Sequence, residues 1–190
     1  KNKYGTPLIP SIFKQGLKHS DNSNDIILYI NSDIILTKSF TKALSACKEF
    51  MEDNTNYLLA GQRTDVDNLQ LIDFKEKDWE QQTIDFTNKH GTLHPACGID
   101  YFVFSKTTYD IEKMPLFAVG KYHWDRWLMG KCLEQKIPTV DLSKDVLAIH
   151  QNGSYLQNNQ KTTAHIVKNS PEALININMD PHLGRDVSHA

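Results

Sequence analysis

The run Ile26-Ile27-Leu28-Tyr29-Ile30 is apolar throughout, rich in β-branched residues, and breaks at once into Asn31-Ser32-Asp33. Such a run reads as a strand covered on both faces, the pattern of parallel sheets, and it ends in a turn that carries a carboxylate. Other stretches behave alike: Tyr57–Ala60 gives way to Gly61-Gln62-Arg63, Val146–Ile149 to His150-Gln151-Asn152, and Ile99–Phe104 is a further strand, with a short one at Thr139–Leu142. Helical spacing lies between them. Ile9, Ile12, Phe13, Gly16 and Leu17 mark a helix over Pro10–His19. Thr37 or Ser39 caps another that runs to about Met51. A third covers Tyr122–Lys136, and Pro171-Glu172 opens a last one ending near Asn178. The acidic stretch Thr64–Thr92 offers one strand at Leu69–Phe74 and a short helix near Trp79–Gln82. Strands alternating with helices predict an α/β domain with a mostly parallel sheet.

With 190 residues and 39% hydrophobic content, the chain is expected to form a single domain over 1–190 that hides roughly 70% of its unfolded surface. Cys47, Cys97 and Cys132 are odd in number and widely spaced, which argues against a disulfide framework and fits a reducing, cytoplasmic setting. Lys and Arg total 21 against 23 Asp and Glu, so no basic field draws nucleic acid or an anionic membrane. The longest apolar stretches fall short of the ~20 residues a membrane span needs, and Lys1–Ile12 lacks the apolar centre of a signal peptide.

In open α/β sheets ligands bind beyond the carboxyl ends of the strands, so polar residues directly after an apolar run are the first place to look for chemistry. Asp33 could hold a hard divalent cation that bridges substrate phosphates, or Asn31 and Asp33 could simply shape an Asx turn. His150 could lend a neutral nitrogen to the same cation, or be a hydrogen-bonded core histidine. Asp125, between Trp124 and Trp127 in a first helical turn, is expected to stay ionised through the helix dipole. It could then accept a proton from a sugar hydroxyl while an indole offers a stacking face, or it could only cap the helix over buried tryptophans. Asp100 lies inside a strand, where a structural role is about as reasonable.

The ordered set Tyr29–Leu36, Gly61–Arg63, Gly98–Phe104, Trp124–Leu128 and Ile149–Asn152 resembles small nucleotide-sugar glycosyltransferases of the GT-A fold, notably the compact domains of bacteria and large DNA viruses. The likeness runs from about Tyr4 to about Asn178. It implies a three-layer α/β sandwich with a mostly parallel mixed sheet. It also implies transfer of a hexosyl or deoxyhexosyl group from a nucleoside diphosphate sugar to a hydroxyl of a glycan or glycoconjugate acceptor, with Mn²⁺ or Mg²⁺ at a D-x-D-like motif. Asn31-Ser32-Asp33 falls at that motif with Asn in place of the first Asp, so the metal role passes to Asp33, with His150 as second ligand. Asn31, Ser32, Arg63 and Arg126 fall to the donor, Lys121 being a further candidate. Asp100, Tyr101 and Trp124 fall to the acceptor, and Asp125 matches the base of inverting members. GT-A folds open with a nucleotide-binding strand, and nothing before Pro10 reads as one, so the chain is expected to lack it. Two other readings stand beside this one: a nucleotide-sugar-binding module that has lost catalysis, suggested by Asn31, and a metal-dependent phosphohydrolase.

Overall fold

The computed structural model describes residues 1–22, 25–67, 69, 71–152, 170–181 and 185–190. Its elements follow in the order α1 (Ile9–Leu17), β1 (Ile26–Ile30), β2 (Ile34–Leu36), α2 (Lys38–Ala46), α3 (Lys48–Asp53), β3 (Leu58–Val66), α4 (Trp79–His90), β4 (Thr92–Leu93), β5 (Ile99–Ser105), α5 (Trp124–Glu134), β6 (Thr139–Asp141), β7 (Ala148–Gln151) and α6 (Pro171–Met179). Local chemistry accounts for several boundaries. Pro10 occupies the first turn of α1, where its missing N–H costs nothing. Thr37 caps α2 by accepting from the Ser39 backbone N–H, a contact of about 1 kcal/mol. The helix expected to continue to Met51 instead breaks at Cys47, giving α2 and α3.

The sheet has strand order β1-β5-β3-β7-β2, with β4 and β6 also paired to β3. It is mixed, as expected, but the expectation of a mostly parallel sheet is overturned. Among the described residues only β3 with β6 and β3 with β7 run parallel. The β1–β5, β2–β7, β3–β4 and β3–β5 pairs are antiparallel. Continuous apolar runs report burial on two faces rather than direction: β5 is buried at every position while running antiparallel to both neighbours. The double coverage expected of β1 also fails. It is an edge strand, and Ile26 and Leu28 remain 46% and 40% exposed while Ile27 and Tyr29 pack inward.

Apolar side chains pack on both faces of the sheet. On one, Ile9 and Phe13 of α1 and Trp124, Trp127 and Leu128 of α5 meet Leu58, Phe102 and Phe104. On the other, Phe40 and Ala43 of α2 meet Leu59, Tyr101 and Val103. A smaller cluster of Val66, Leu69 and Ile149 takes Phe86 of α4. That helix is three times the length read from the sequence, because the positions it buries include Thr83 and Thr87 rather than large apolar residues. The strand expected at Leu69–Phe74 is not found among the described residues there, Leu69 and Leu71–Phe74, which are irregular. Among the described residues no helix is long and apolar enough to cross a membrane.

β3 continues past Ala60, where the sequence reading ended it, because the register with β5 shifts between Ala60 and Gln62. Gly61 fills this irregularity for a steric reason: a Cβ there would lie 2.1 Å from Tyr101 Oη and 3.0 Å from the Ser143 nitrogen. The Tyr101 hydroxyl is buried and has no hydrogen-bond partner among the described residues. Gly61→Ala is therefore expected to cost about 1–3 kcal/mol. Tyr101→Phe, which removes an unsatisfied hydroxyl, is expected to be neutral or stabilising, and the double substitution to recover part of the loss. Urea midpoints of the three variants test this; strictly additive effects would disprove the contact.

Candidate functional site

Strand direction assembles the site. Because β1 and β5 are antiparallel, the start of β5 stands beside the end of β1, with Tyr101 opposite Ile30. Asp100 therefore meets Asn31. Its backbone carbonyl accepts from the Asn31 N–H at 2.9 Å, and its Oδ1 accepts from Asn31 Nδ2 at 2.5 Å. The second oxygen of Asp100 accepts from Arg63 Nη1 at 2.7 Å. Arg63 Nε donates to Asp65 Oδ1 at 2.8 Å. Parallel pairing of β3 with β7 sets Asp65 opposite His150, whose Nδ1 lies 2.9 Å from Asp65 Oδ1. The Nε2 of His150 stands 3.4 Å from Asp33 Oδ2. Asp33, Asp65, Arg63, Asp100 and Asn31 thus form one unbroken polar chain with His150.

Asp65 is its hub, and sequence reading missed it. One oxygen takes Arg63 and His150, while the other lies 2.5 Å from His94 Nδ1. Although burial opposes ionisation, the hydrogen bonds from His150 and His94 and the charge of Arg63 hold its carboxyl well below the usual carboxylate range. His150 is raised in turn, first by its hydrogen bond to Asp65. The signal for Asp65 was its place two residues after Arg63, on the same face of a strand that the sequence reading stopped too soon. His94, after the two-residue β4, left no pattern to find. Gly98 makes room for it: a Cβ there would lie 2.1 Å from His94 Cδ2.

Asp125 approaches from α5. Its Oδ1 accepts from the Arg126 N–H at 2.9 Å. Contrary to the expectation that the helix dipole keeps it fully ionised, burial pushes its carboxyl up to about 6, aided by the negative Asp100 and opposed by the Arg126 hydrogen bond and charge. Desolvation outweighs the dipole here. Tyr29, whose hydroxyl donates to Asn31 Oδ1 at 3.2 Å, shares the neighbourhood of three of the site's four aspartates: after burial, the charges of Asp100, Asp33 and Asp125 raise it to about 12. Just before α5, His123 adopts a left-handed conformation at φ 83°, which costs a non-glycine residue about 1–2 kcal/mol.

Other expected site residues lie elsewhere or are already engaged. Tyr101 is fully buried on the opposite face of β5 from Asp100, edge-on to Phe40 at 6.0 Å, because neighbouring residues of a strand point to opposite sides. Trp124 is buried edge-on against Tyr29 at 5.1 Å and offers no stacking face. Arg63 is held by two carboxylates, and Lys121 pairs with Glu172 at 3.4 Å. Ser32 is exposed in the turn beside Asp33, and Arg126 flanks Asp125.

The donor set suits a divalent cation in part. Asp33 and the Nε2 of His150, 3.4 Å apart, have the spacing of two ligands of one ion, and Asp65 fixes the imidazole through its other nitrogen, as second-shell carboxylates do. Among the described residues no group of three His, Cys, Asp or Glu side chains is arranged around one point. Asp33 and His150 could at most supply part of a cation's shell, and the rest would have to come from substrate phosphate and water.

The native carboxyl of Asp125 titrates near 6, against 3.8 ordinarily, so folding favours its neutral form. The stability this gives is full below pH ~4 and is lost as pH rises through about 6. Asp125→Asn is expected to stabilise the fold by about 1–3 kcal/mol at pH 8 and to change little at pH 4. Urea denaturation at both values decides; an equal effect at both would show the carboxyl to be unperturbed. Compared with protein-family models, curated proteins and solved structures, the chain matches none of them, so its chemistry must be inferred from the geometry above.

Proposed function

We propose that the chain is a GT-A-like glycosyltransferase that moves a sugar from a nucleoside diphosphate donor to an acceptor hydroxyl with inversion. The observation that carries this is the meeting of Asp33 and His150, widely separated in sequence, within 3.4 Å at one rim of the sheet, on the side where Asp125 is felt by Asp100 and Tyr29. A paired imidazole and carboxylate suit a diphosphate-bound cation, and a half-buried carboxylate with a pKa near 6 suits a general base at neutral pH.

In this reading Asp125 accepts the proton of the acceptor hydroxyl as that oxygen bonds to the anomeric carbon. The bond from that carbon to the diphosphate breaks, and its electron pair leaves on the phosphate oxygen. Asp33 and His150 would hold Mn²⁺ or Mg²⁺, which supplies positive charge against the departing diphosphate. Asp65 keeps the His150 ring turned toward Asp33. Asn31, donating to Asp100 and accepting from Tyr29, braces the turn that carries Asp33, a part a neutral amide fills as well as a carboxylate. The engaged Arg63 acts by fixing Asp65 and Asp100 rather than by reaching for phosphate.

Release of sugar or its transfer to simple glycan acceptors, measured across uridine, guanosine and thymidine diphosphate sugars with Mn²⁺, tests the proposal. Turnover is expected to rise with pH through about 6 as Asp125 ionises. Asp125→Asn is expected to lower it about a thousandfold with donor affinity retained, and Asp33→Ala to weaken donor binding and remove the response to chelator. Full turnover in Asp125→Asn, or no turnover with any donor, would disprove it.

A further inference from the structure

The segment that delivers Asp125 is held from outside the sheet. Helix α6 grips it at three points. Asn176, fully buried, accepts from the Ala118 N–H at 2.9 Å and donates to the Ala118 carbonyl at 3.0 Å. Glu172 pairs with Lys121 at 3.4 Å. Asp180, at the end of α6, lies 3.2 Å from His123 Nδ1, with the carboxylate fully buried and the imidazole 10% exposed. The third grip falls on the left-handed residue. His123 directly precedes α5, and its carbonyl accepts the Trp127 N–H at 2.9 Å, the first turn of the helix. The direction in which α5 leaves, and with it the position of Asp125 two residues on, is set by the conformation of His123.

A histidine at φ 83° persists only where its surroundings hold it there, and such residues gather at functional sites. We propose that Asp180 is a positioning residue: through its contact with the His123 imidazole it locks the left-handed turn that presents Asp125 to the site. The inference rests on the reading of Asp125 as the base. It assigns to α6, which supplies none of the site's reacting groups, control over where that base stands. Glycine occupies the left-handed region without penalty, which separates a lock on this turn from general support of the fold.

The test compares Asp180→Ala, alone and combined with His123→Gly, by hydrogen exchange of the Trp124–Leu128 amides and by turnover of the same nucleoside diphosphate sugars with Mn²⁺. Without the lock, the strained turn relaxes: Asp180→Ala is expected to speed exchange of these amides and to lower kcat, each by about tenfold, with donor KM unchanged. Adding His123→Gly is expected to restore most of both. If Asp180→Ala does not fold, Asp180→Leu, of similar shape and with no acceptor for the His123 imidazole, serves in its place. Unchanged exchange in the single variant, or no recovery in the double, overturns the proposal. Exchange that follows this pattern while the unaltered chain turns over none of the donors supports the lock and defeats the glycosyltransferase reading instead.

Discussion

The placement of β5 between β1 and β3, antiparallel to both, is the constraint on which the site depends. It brings the amino end of one strand to the carboxyl end of another, so that Asp100 lies against Asn31 and within reach of Arg63. Were β5 parallel to β1, its second residue would sit at the far rim. Arg63 would lose one of its two carboxylates, and Asp100 would be buried without a cation, a costly arrangement for an ionised group. The parallel β3–β7 pair then completes the circuit by setting His150 opposite Asp65. Strand direction decides which charges neutralise one another.

Within that circuit the balance of charge is close. Asp65 and Asp100 flank Arg63, and Asp65 also engages two imidazoles. Asp125, in the first turn of α5, is buried near the negative Asp100, and its raised affinity for a proton follows from that position. Two carboxylates of one neighbourhood therefore have opposite tendencies: Asp65 is held well below the usual carboxylate range, while Asp125 is pushed up to about 6. In the function proposed above, such divergence would separate holding from proton transfer.

Much of this was legible in the sequence. The apolar runs located β1, β5 and β7, and helical spacing located α1 and α5, because these elements bury large side chains whose period survives in the sequence; α6, which buries only Ala173 and Asn176, was marked instead by the proline that opens it. The convergence of Asp33 with His150 followed from reading strand ends as ligand sites. Strand direction was not legible, since an apolar run looks alike either way. The length of β3 was hidden by the irregularity at Gly61, and with it the role of Asp65. The buried face of α4 escaped notice because threonine carries little hydropathic signal. Tyr101 was misplaced by one step of the strand alternation: Asp100 faces the site, and its neighbour must face away.

Several of the hydrogen bonds that build the site span long stretches of chain: 69 residues from Asn31 to Asp100, 37 from Arg63 to Asp100 and 85 from Asp65 to His150. Closing loops of this size carries an entropic cost that no short-range contact refunds, and chains rich in such closures fold slowly. On the ribosome Asp65 waits for its second histidine until residue 150 has emerged, so β3 can pair with β5 well before the polar circuit can close. A chain ending before β7 would lack His150, so Asp65 would be left with Arg63 and His94, and Asp33 would have no imidazole to meet.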